Sequence, residues 1–215
     1  MTERLDLFPT TILKARVPDP EALNAALLAA IDQQREAGRG IDRSNIGGWH
    51  SETDMAQWGG EAARGLARFA VETVSPHMAD IAAGGKRQFD WGIDMWANVN
   101  GPGAANQLHC HPGAFWSGAY YVDAGGADVE DHGGELLLED PRYPMAYSTV
   151  PDMVLRDADK KPVQSQFAVR PEAGMLVLFP SWLRHSVRPH GGDRERVSVA
   201  INLSLFPAMP EAPPT

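Results

Sequence analysis

Two different periodicities divide the chain. From Asp19 to about Gln34 apolar residues recur at positions 23, 26, 27, 30 and 31, the spacing of one helical face. Pro20 falls in the first turn of that helix and Asp19 is placed to cap it. A second helix is predicted from about Gly60 to Ala79, with Ala62, Leu66, Phe69 and Val74 supplying apolar contacts. A short strand over 6–14 comes before the helices, and a polar, glycine-bearing loop joins them. After Gly84-Gly85 the period changes to two. In FDWGIDMWANVN, Phe89, Trp91, Ile93, Met95 and Val99 fall on one face, and Asp90, Asp94, Trp96, Asn98 and Asn100 on the other.

Further strands are predicted over about 114–122, 134–139, 165–170, 174–179, 182–188 and 195–206. On the last, Val197, Val199, Ile201, Leu203 and Leu205 form a core face, while Arg196, Ser198, Ala200, Asn202 and Ser204 form a polar one. Short strands punctuated by Gly and Pro, polar toward one side, are what a β barrel with a wet functional interior requires. The expected organisation is a supporting layer of one strand and helices over residues 1–85, a β core over 86–207 and a flexible tail over 208–215. The stretch from Asp123 to about Pro162, irregular apart from ELLLED, is long for a connection within a domain, and 124–162 is a candidate lid over the substrate.

Composition narrows the classes of function. The 215 residues are 43% apolar and 22% charged, which excludes wholesale disorder, and 21 Gly with 17 Pro favour a loop-rich β architecture over a helix bundle. The net charge of −9 and the absence of a basic stripe argue against a nucleic-acid partner. Cys110 is the one cysteine, so no intrachain disulfide framework exists. The opening MTERLDLFPTT lacks the apolar segment of a secretory leader, and no run of about 18 apolar residues occurs. A soluble cytoplasmic protein with no membrane partner is expected, and a homodimer is a fair expectation.

Among seven histidines, two stand in LHCHPG. On an extended strand His109 and His111 point to the same face, roughly 6–7 Å apart, and can reach one metal ion, while Cys110 points away. His185 stands at the start of another strand, after GMLVLFPSWLR. Arg196 lies 11 residues beyond it on the polar face of the last strand, where burial demands an anionic partner. Its guanidinium suits a carboxylate bidentately, and Ser198, one pleat along, adds a hydroxyl. His50, His77, His132 and His190 are expected at the surface.

The order H-x-H, GGELLLEDP, GMLVLFPSWLRHSVRP and R-x-S resembles the Fe(II)/2-oxoglutarate-dependent dioxygenase superfamily, in particular its prolyl-hydroxylase-like branch and a bacterial and phage group of 2OG-Fe(II) oxygenases. The likeness covers about residues 88–206. It implies a mainly β fold with supporting α: a double-stranded β-helix (a jelly-roll or cupin-like barrel) with the N-terminal helices packed on one face. It implies Fe(II) and 2-oxoglutarate as cofactors, O₂ and a small-molecule or peptide substrate as partners, and a hydroxylase activity. His109 and His185 match the family's two histidine ligands, and Arg196 with Ser198 match its R-x-S cosubstrate site. The resemblance also gives Tyr121 a hydrogen bond to the cosubstrate carboxylate.

His111 stands where the family carries Asp or Glu. Three arrangements answer this departure: a three-His site, which is preferred; a two-His site with His111 behind it; or a carboxylate from elsewhere, Asp123 and Glu135 being nearest in sequence. Asn98, Asn100, Trp116 and Trp182 are candidates for contact with cosubstrate or substrate. The cupins are the rival family. Gly103-AANQL-His109-Cys-His111 fits the opening of their first motif, but Phe115 and Trp116 occupy the spacing of its Glu, and Arg196 with Ser198 has no role there. The alternatives are therefore a metal-dependent cupin not using 2-oxoglutarate and a non-enzymatic small-molecule-binding jelly roll.

Overall fold

Twelve-residue alternation at both ends of the β region pairs its two longest strands. The computed structural model describes residues 3–81, 89–126, 132–142, 150 and 153–208. In chain order the elements are β1 (Leu13–Arg16), α1 (Pro20–Ala37), β2 (Asn45–Ile46), β3 (Trp49–His50), α2 (Met55–Trp58), α3 (Gly60–Val74), a 3₁₀ turn (Ser75–His77), β4 (Phe89–Asn100), β5 (Ala105–His109), β6 (Trp116–Asp123), β7 (Leu136–Glu139), β8 (Gln166–Val169), β9 (Met175–Pro180), β10 (His185–Val187) and β11 (Arg196–Pro207). β11 pairs antiparallel with β4 along its whole length, from Arg196 opposite Asn100 to Pro207 opposite Phe89.

The strands form a six-stranded sheet in the order β1-β9-β6-β11-β4-β3 and a five-stranded sheet in the order β2-β5-β10-β7-β8. All the pairings between these strands are antiparallel. Two facing antiparallel sheets with this order fit a double-stranded β-helix. Among the described residues the sheets stay open at their edges rather than closing into a barrel.

Each strand of the larger sheet distributes its side chains by parity. Val197, Val199, Ile201 and Leu203 of β11, Trp116, Tyr120 and Val122 of β6, and Leu176 and Leu178 of β9 pack with Leu27 and Ile31 of α1 and with Leu66, Ala70 and Val74 of α3. The opposite parity faces the second sheet. Tyr121, Met175, Val177 and Phe179 there join Leu136, Leu138 and Val169 in a second apolar cluster. Burying these chains on both faces contributes roughly 1.5–3 kcal/mol for each large one. The Tyr120 hydroxyl donates to Asn24 Oδ1 at 2.6 Å, which ties α1 to the sheet.

Several local expectations are corrected. The first strand is β1 (Leu13–Arg16) rather than 6–14, because pairing with β9 (Leu13 opposite Leu178, Arg16 opposite Met175) selects those residues. Asp19 makes no capping hydrogen bond and sits at φ 46°, and α1 runs on to Ala37. The second helix stops at Val74, and Pro76, lacking an N–H, stands in the 3₁₀ turn that ends it. The loop between the helices contains β2 and β3, joined by Gly47 and Gly48 at φ 66° and 74°. β2 pairs with β5 and β3 with β4, so this segment straps an edge of one sheet to an edge of the other. A Cβ on Gly48 would meet the Val99 carbonyl at 2.7 Å, so the close approach of β3 to β4 depends on glycine there. Residues 127–131, 143–149 and 151–152 of the candidate lid over 124–162, the expected boundary at 85–86 and most of the tail over 208–215 lie outside the described residues. No described helix is long and apolar enough to cross a membrane.

Candidate metal centre and cosubstrate cavity

The space between the sheets is a cavity of about 480 Å³. Its walls carry the polar faces of β4 and β11, so the alternation read in the sequence becomes the lining. Asp94, Trp96 and Asn98 come from β4, and Arg196, Ser198, Ala200 and Asn202 from β11. Tyr121 and Phe179 enter from the same sheet, and Asn106, His109, Leu136, His185 and Val187 from the other.

His109, His111 and His185 meet in this cavity. One ring nitrogen from each lies within 4.8 Å of the others, a set able to hold one metal ion. β5 ends at His109 and pairs it with His185 of β10. His111 lies beyond the strand in a turn, where its N–H donates to the Ser181 carbonyl at 2.9 Å. The two histidines therefore converge through a strand end and a turn, not along one extended strand. Among the described residues this is the only such group of His, Cys, Asp or Glu side chains, and it contains no carboxylate. Asp123 is turned away into an ion pair with Arg194, and Glu135 stands near Arg188.

Hydrogen bonds select the tautomers. His109 Nδ1–H donates to the Gln107 carbonyl at 2.7 Å and His185 Nδ1–H to the Leu183 carbonyl at 2.9 Å, which leaves both Nε2 lone pairs facing the cavity. His111 Nε2 stands 3.3 Å from His185 Nε2. Burial, reinforced by His109, lowers the His111 pKa to about 4. Burial, with smaller contributions from the neighbouring histidines, lowers that of His185 to about 3. Burial also lowers His109. All three rings are thus neutral near pH 7, the state a metal ligand needs.

Arg196 is buried, the residue being 2% accessible. Its Nη1–H donates to the Gly134 carbonyl at 3.1 Å, and its Nε is buried without an acceptor. No carboxylate among the described residues pairs with it, since Glu195 is held by Arg35 at 2.8 Å. Burial lowers the Arg196 pKa, and Tyr121 lies close enough to oppose that shift. A buried guanidinium without a counter-ion is costly, and a dianionic carboxylate ligand reaching the cavity would offset that cost. Ser198, one pleat from Arg196, and Tyr121 line the same cavity.

The remaining candidates divide. Asn98 lines the cavity, whereas Asn100 is buried opposite Arg196 in the β4·β11 register and does not. Trp116 is corrected: its parity is that of Tyr120, so it packs into the helix-side core. Trp182 is also corrected, being 54% exposed and outside the cavity lining. His50 and His190, expected at the surface, are 4% and 1% accessible. His190 is an internal strut, its Nε2–H donating to the Arg194 carbonyl at 2.7 Å. His50 lines the cavity and stacks on Trp96, with ring centroids 5.6 Å apart and planes at 14°. Arg43, Ser44 and Thr53 of the strap also reach the cavity and carried no sequence signal. The Ser44 hydroxyl stands 3.5 Å from His109 Nε2.

A family model described as "Putative 2OG-Fe(II) oxygenase" matches residues 94–202, just over half of the chain. No curated protein matches the sequence. Among solved structures, a Pseudomonas putida prolyl-4-hydroxylase superposes with a TM-score of 0.60 at 19% identity, covering 91% of this chain and 92% of that one. A Trichoplax adhaerens prolyl hydroxylase in complex with a hypoxia inducible factor peptide fragment gives 0.60 at 14% identity, covering 90% and 83%. HygX from Streptomyces hygroscopicus, with nickel and 2-oxoglutarate bound, gives 0.55 at 11% identity, covering 91% and 83%. These likenesses concern the fold.

Proposed function

The chain belongs to the 2OG-Fe(II) oxygenase family, and we propose that it hydroxylates a small-molecule or peptide substrate while converting 2-oxoglutarate to succinate. The observation that carries this reading is the pairing, in one cavity, of three neutral imidazoles with a buried guanidinium that has no carboxylate partner among the described residues. The donor set suits Fe(II), since imidazole is a good ligand for it and three protein ligands leave positions open.

In this reading His109, His111 and His185 hold Fe(II) through Nε2. Arg196 pairs with the C5 carboxylate of 2-oxoglutarate, and Ser198 and Tyr121 donate hydroxyl hydrogen bonds to the same group. The iron and cosubstrate, when bound, supply the redox chemistry: O₂ and 2-oxoglutarate yield succinate and CO₂, and one oxygen atom enters a substrate C–H bond. The protein orients these groups and shields them from water.

Asn202 sets the third ligand. Its side-chain amide lies 3.4 Å from His111 Nδ1 and 2.8 Å from the Ser117 hydroxyl. Ser117 Oγ–H donates to Asn202 Oδ1, and Asn202 Nδ2 faces His111 Nδ1; for His111 to bind metal through Nε2 the amide would turn over, so that Oδ1 accepts from Nδ1–H and Nδ2–H donates to the Ser117 hydroxyl. All three Nδ1 atoms are then tied back, which is how metal-ligating histidines are held in a productive tautomer.

The test is anaerobic addition of Fe(II) and then 2-oxoglutarate, watching for a visible metal-to-ligand charge-transfer band. The expected result is a band in the native protein that is absent in Arg196→Ala at the same cosubstrate concentration. Metal binding with no spectral response to 2-oxoglutarate overturns the proposal and favours the cupin alternative.

A further inference from the structure

A row of four polar side chains crosses the larger sheet on its cavity face. Tyr121 of β6 stands opposite Ser198 of β11, Ser198 opposite Asn98 of β4, and Asn98 opposite His50 of β3. All four line the cavity. The proposed function employs Tyr121 and Ser198 for the cosubstrate. It leaves Asn98 and His50, at the other end of the row, without a role.

His50 is built into the wall. The residue is 4% accessible, and its ring stacks on Trp96 with centroids 5.6 Å apart. The Trp96 centroid is in turn 5.7 Å from that of His111, so one aromatic ring separates His50 from the metal cluster. His50 Nδ1–H donates to the Ser51 carbonyl at 2.6 Å, which fixes the tautomer and leaves a lone pair on Nε2. Burial lowers the His50 pKa, so the ring is neutral near pH 7. No described residue hydrogen-bonds to Nε2, yet unlike Arg196 Nε and His190 Nδ1 it is not sealed off. It opens onto the cavity as an unanswered acceptor.

Asn98 stands beside it. Directly opposed residues on neighbouring antiparallel strands hold their Cβ atoms about 4.5–5.5 Å apart, and both of these project from the cavity face. The Asn98 amide has no described hydrogen-bond partner either, and neither end of it is sealed off. An acceptor and an amide side by side match one group that gives a hydrogen to Nε2 and takes one from Nδ2–H. An anion would meet the His50 lone pair. An ammonium would find no buried carboxylate here, since Asp94, the acidic residue of the lining, is exposed.

We propose that His50 and Asn98 form the substrate subsite and take an uncharged donor–acceptor group, a carboxamide or an alcohol, with Nε2 accepting its hydrogen and Nδ2–H donating to its oxygen. This rests on the oxygenase reading above and names its substrate class. The cavity of about 480 Å³ has room for a small molecule beside 2-oxoglutarate.

The experiment uses the full chain, labelled with nitrogen-15 at histidine and loaded with Zn(II) and 2-oxoglutarate. The probes are acetamide and 2-propanol, which carry the donor, and acetone and acetate, which share their skeleton and lack it. The His50 Nε2 resonance, assigned by its loss in His50→Phe, reports contact. At least one donor probe is expected to move it, and acetone and acetate to do so at least about tenfold more weakly. Which donor succeeds distinguishes an amide from an alcohol. His50→Phe, which keeps a ring against Trp96, and Asn98→Leu are each expected to weaken that probe about tenfold, read by saturation transfer to the probe. Zinc and cosubstrate titrations of each variant separate a lost subsite from a lost fold. A His50 resonance moved by neither donor, or moved equally by acetone or acetate, overturns the inference while leaving the oxygenase reading intact, as does unchanged probe affinity in His50→Phe. Failure of the native protein to take up zinc or 2-oxoglutarate overturns that reading and this one with it.

Discussion

His111 Nε2 and His185 Nε2 stand 3.3 Å apart, although 74 residues separate them in sequence. Two neutral rings with facing lone pairs gain by sharing a cation, so binding one stabilises the arrangement. His111→Ala is expected to weaken Ni(II) or anaerobic Fe(II) binding by at least about 100-fold. His111→Asp, which supplies the carboxylate of the usual pattern, should stay within about tenfold of the native protein. Calorimetric metal titration distinguishes the two, and equal loss in both would show that the third ligand must be imidazole.

Arg196 is a buried charge whose natural partner arrives with the ligand. Arg196→Met is expected to leave the apo protein as stable or more stable in urea, because an unpaired buried cation is replaced by an apolar chain of similar volume. The same variant should lose at least about 100-fold in 2-oxoglutarate affinity. A clear loss of apo stability would show that the guanidinium is structural.

Asn202 is expected to act on the metal through His111. Asn202→Leu removes the acceptor that the turned-over amide offers His111 Nδ1–H and should lower metal affinity by about 10–100-fold, whereas Asn202→Asp, which always offers an oxygen, should retain it. Both variants should denature at nearly the native urea concentration without metal. Unchanged metal affinity in Asn202→Leu would dismiss the role.

Burial holds the pKa values of His111 and His185 at about 4 and about 3 in the fold, below the ordinary 6.5 of the unfolded chain. Between those values and 6.5 the unfolded state binds more protons, so apo stability falls as pH falls through that window and is fully regained above it. Urea unfolding at pH 7, 6 and 5 is expected to show this decline, and a His111→Leu, His185→Leu double variant to flatten it. A native protein equally stable at pH 7 and 5 would contradict the burial of neutral rings.

The sequence alone determined the parity of the long strands, and with it which residues face the cavity. Alternation over 89–100 and 196–207 separates Val197, Val199 and Ile201 from Arg196, Ser198 and Asn202 without reference to any partner, because successive side chains on a strand point to opposite faces. The set His109, His111, His185 and Arg196 was legible from residue type and motif order, although a turn rather than strand alternation brings His111 beside His109. Only the tertiary structure decided what each face meets. Trp116 and Tyr121 both looked like candidates, yet their opposite parity on β6 sends one to the helices and the other to the cavity. The strap that brings Arg43, Ser44 and His50 to the site consists of two-residue strands around a glycine pair, too short to carry a period. His50 is buried because β3 pairs with β4, a contact between segments nearly fifty residues apart that no local pattern encodes.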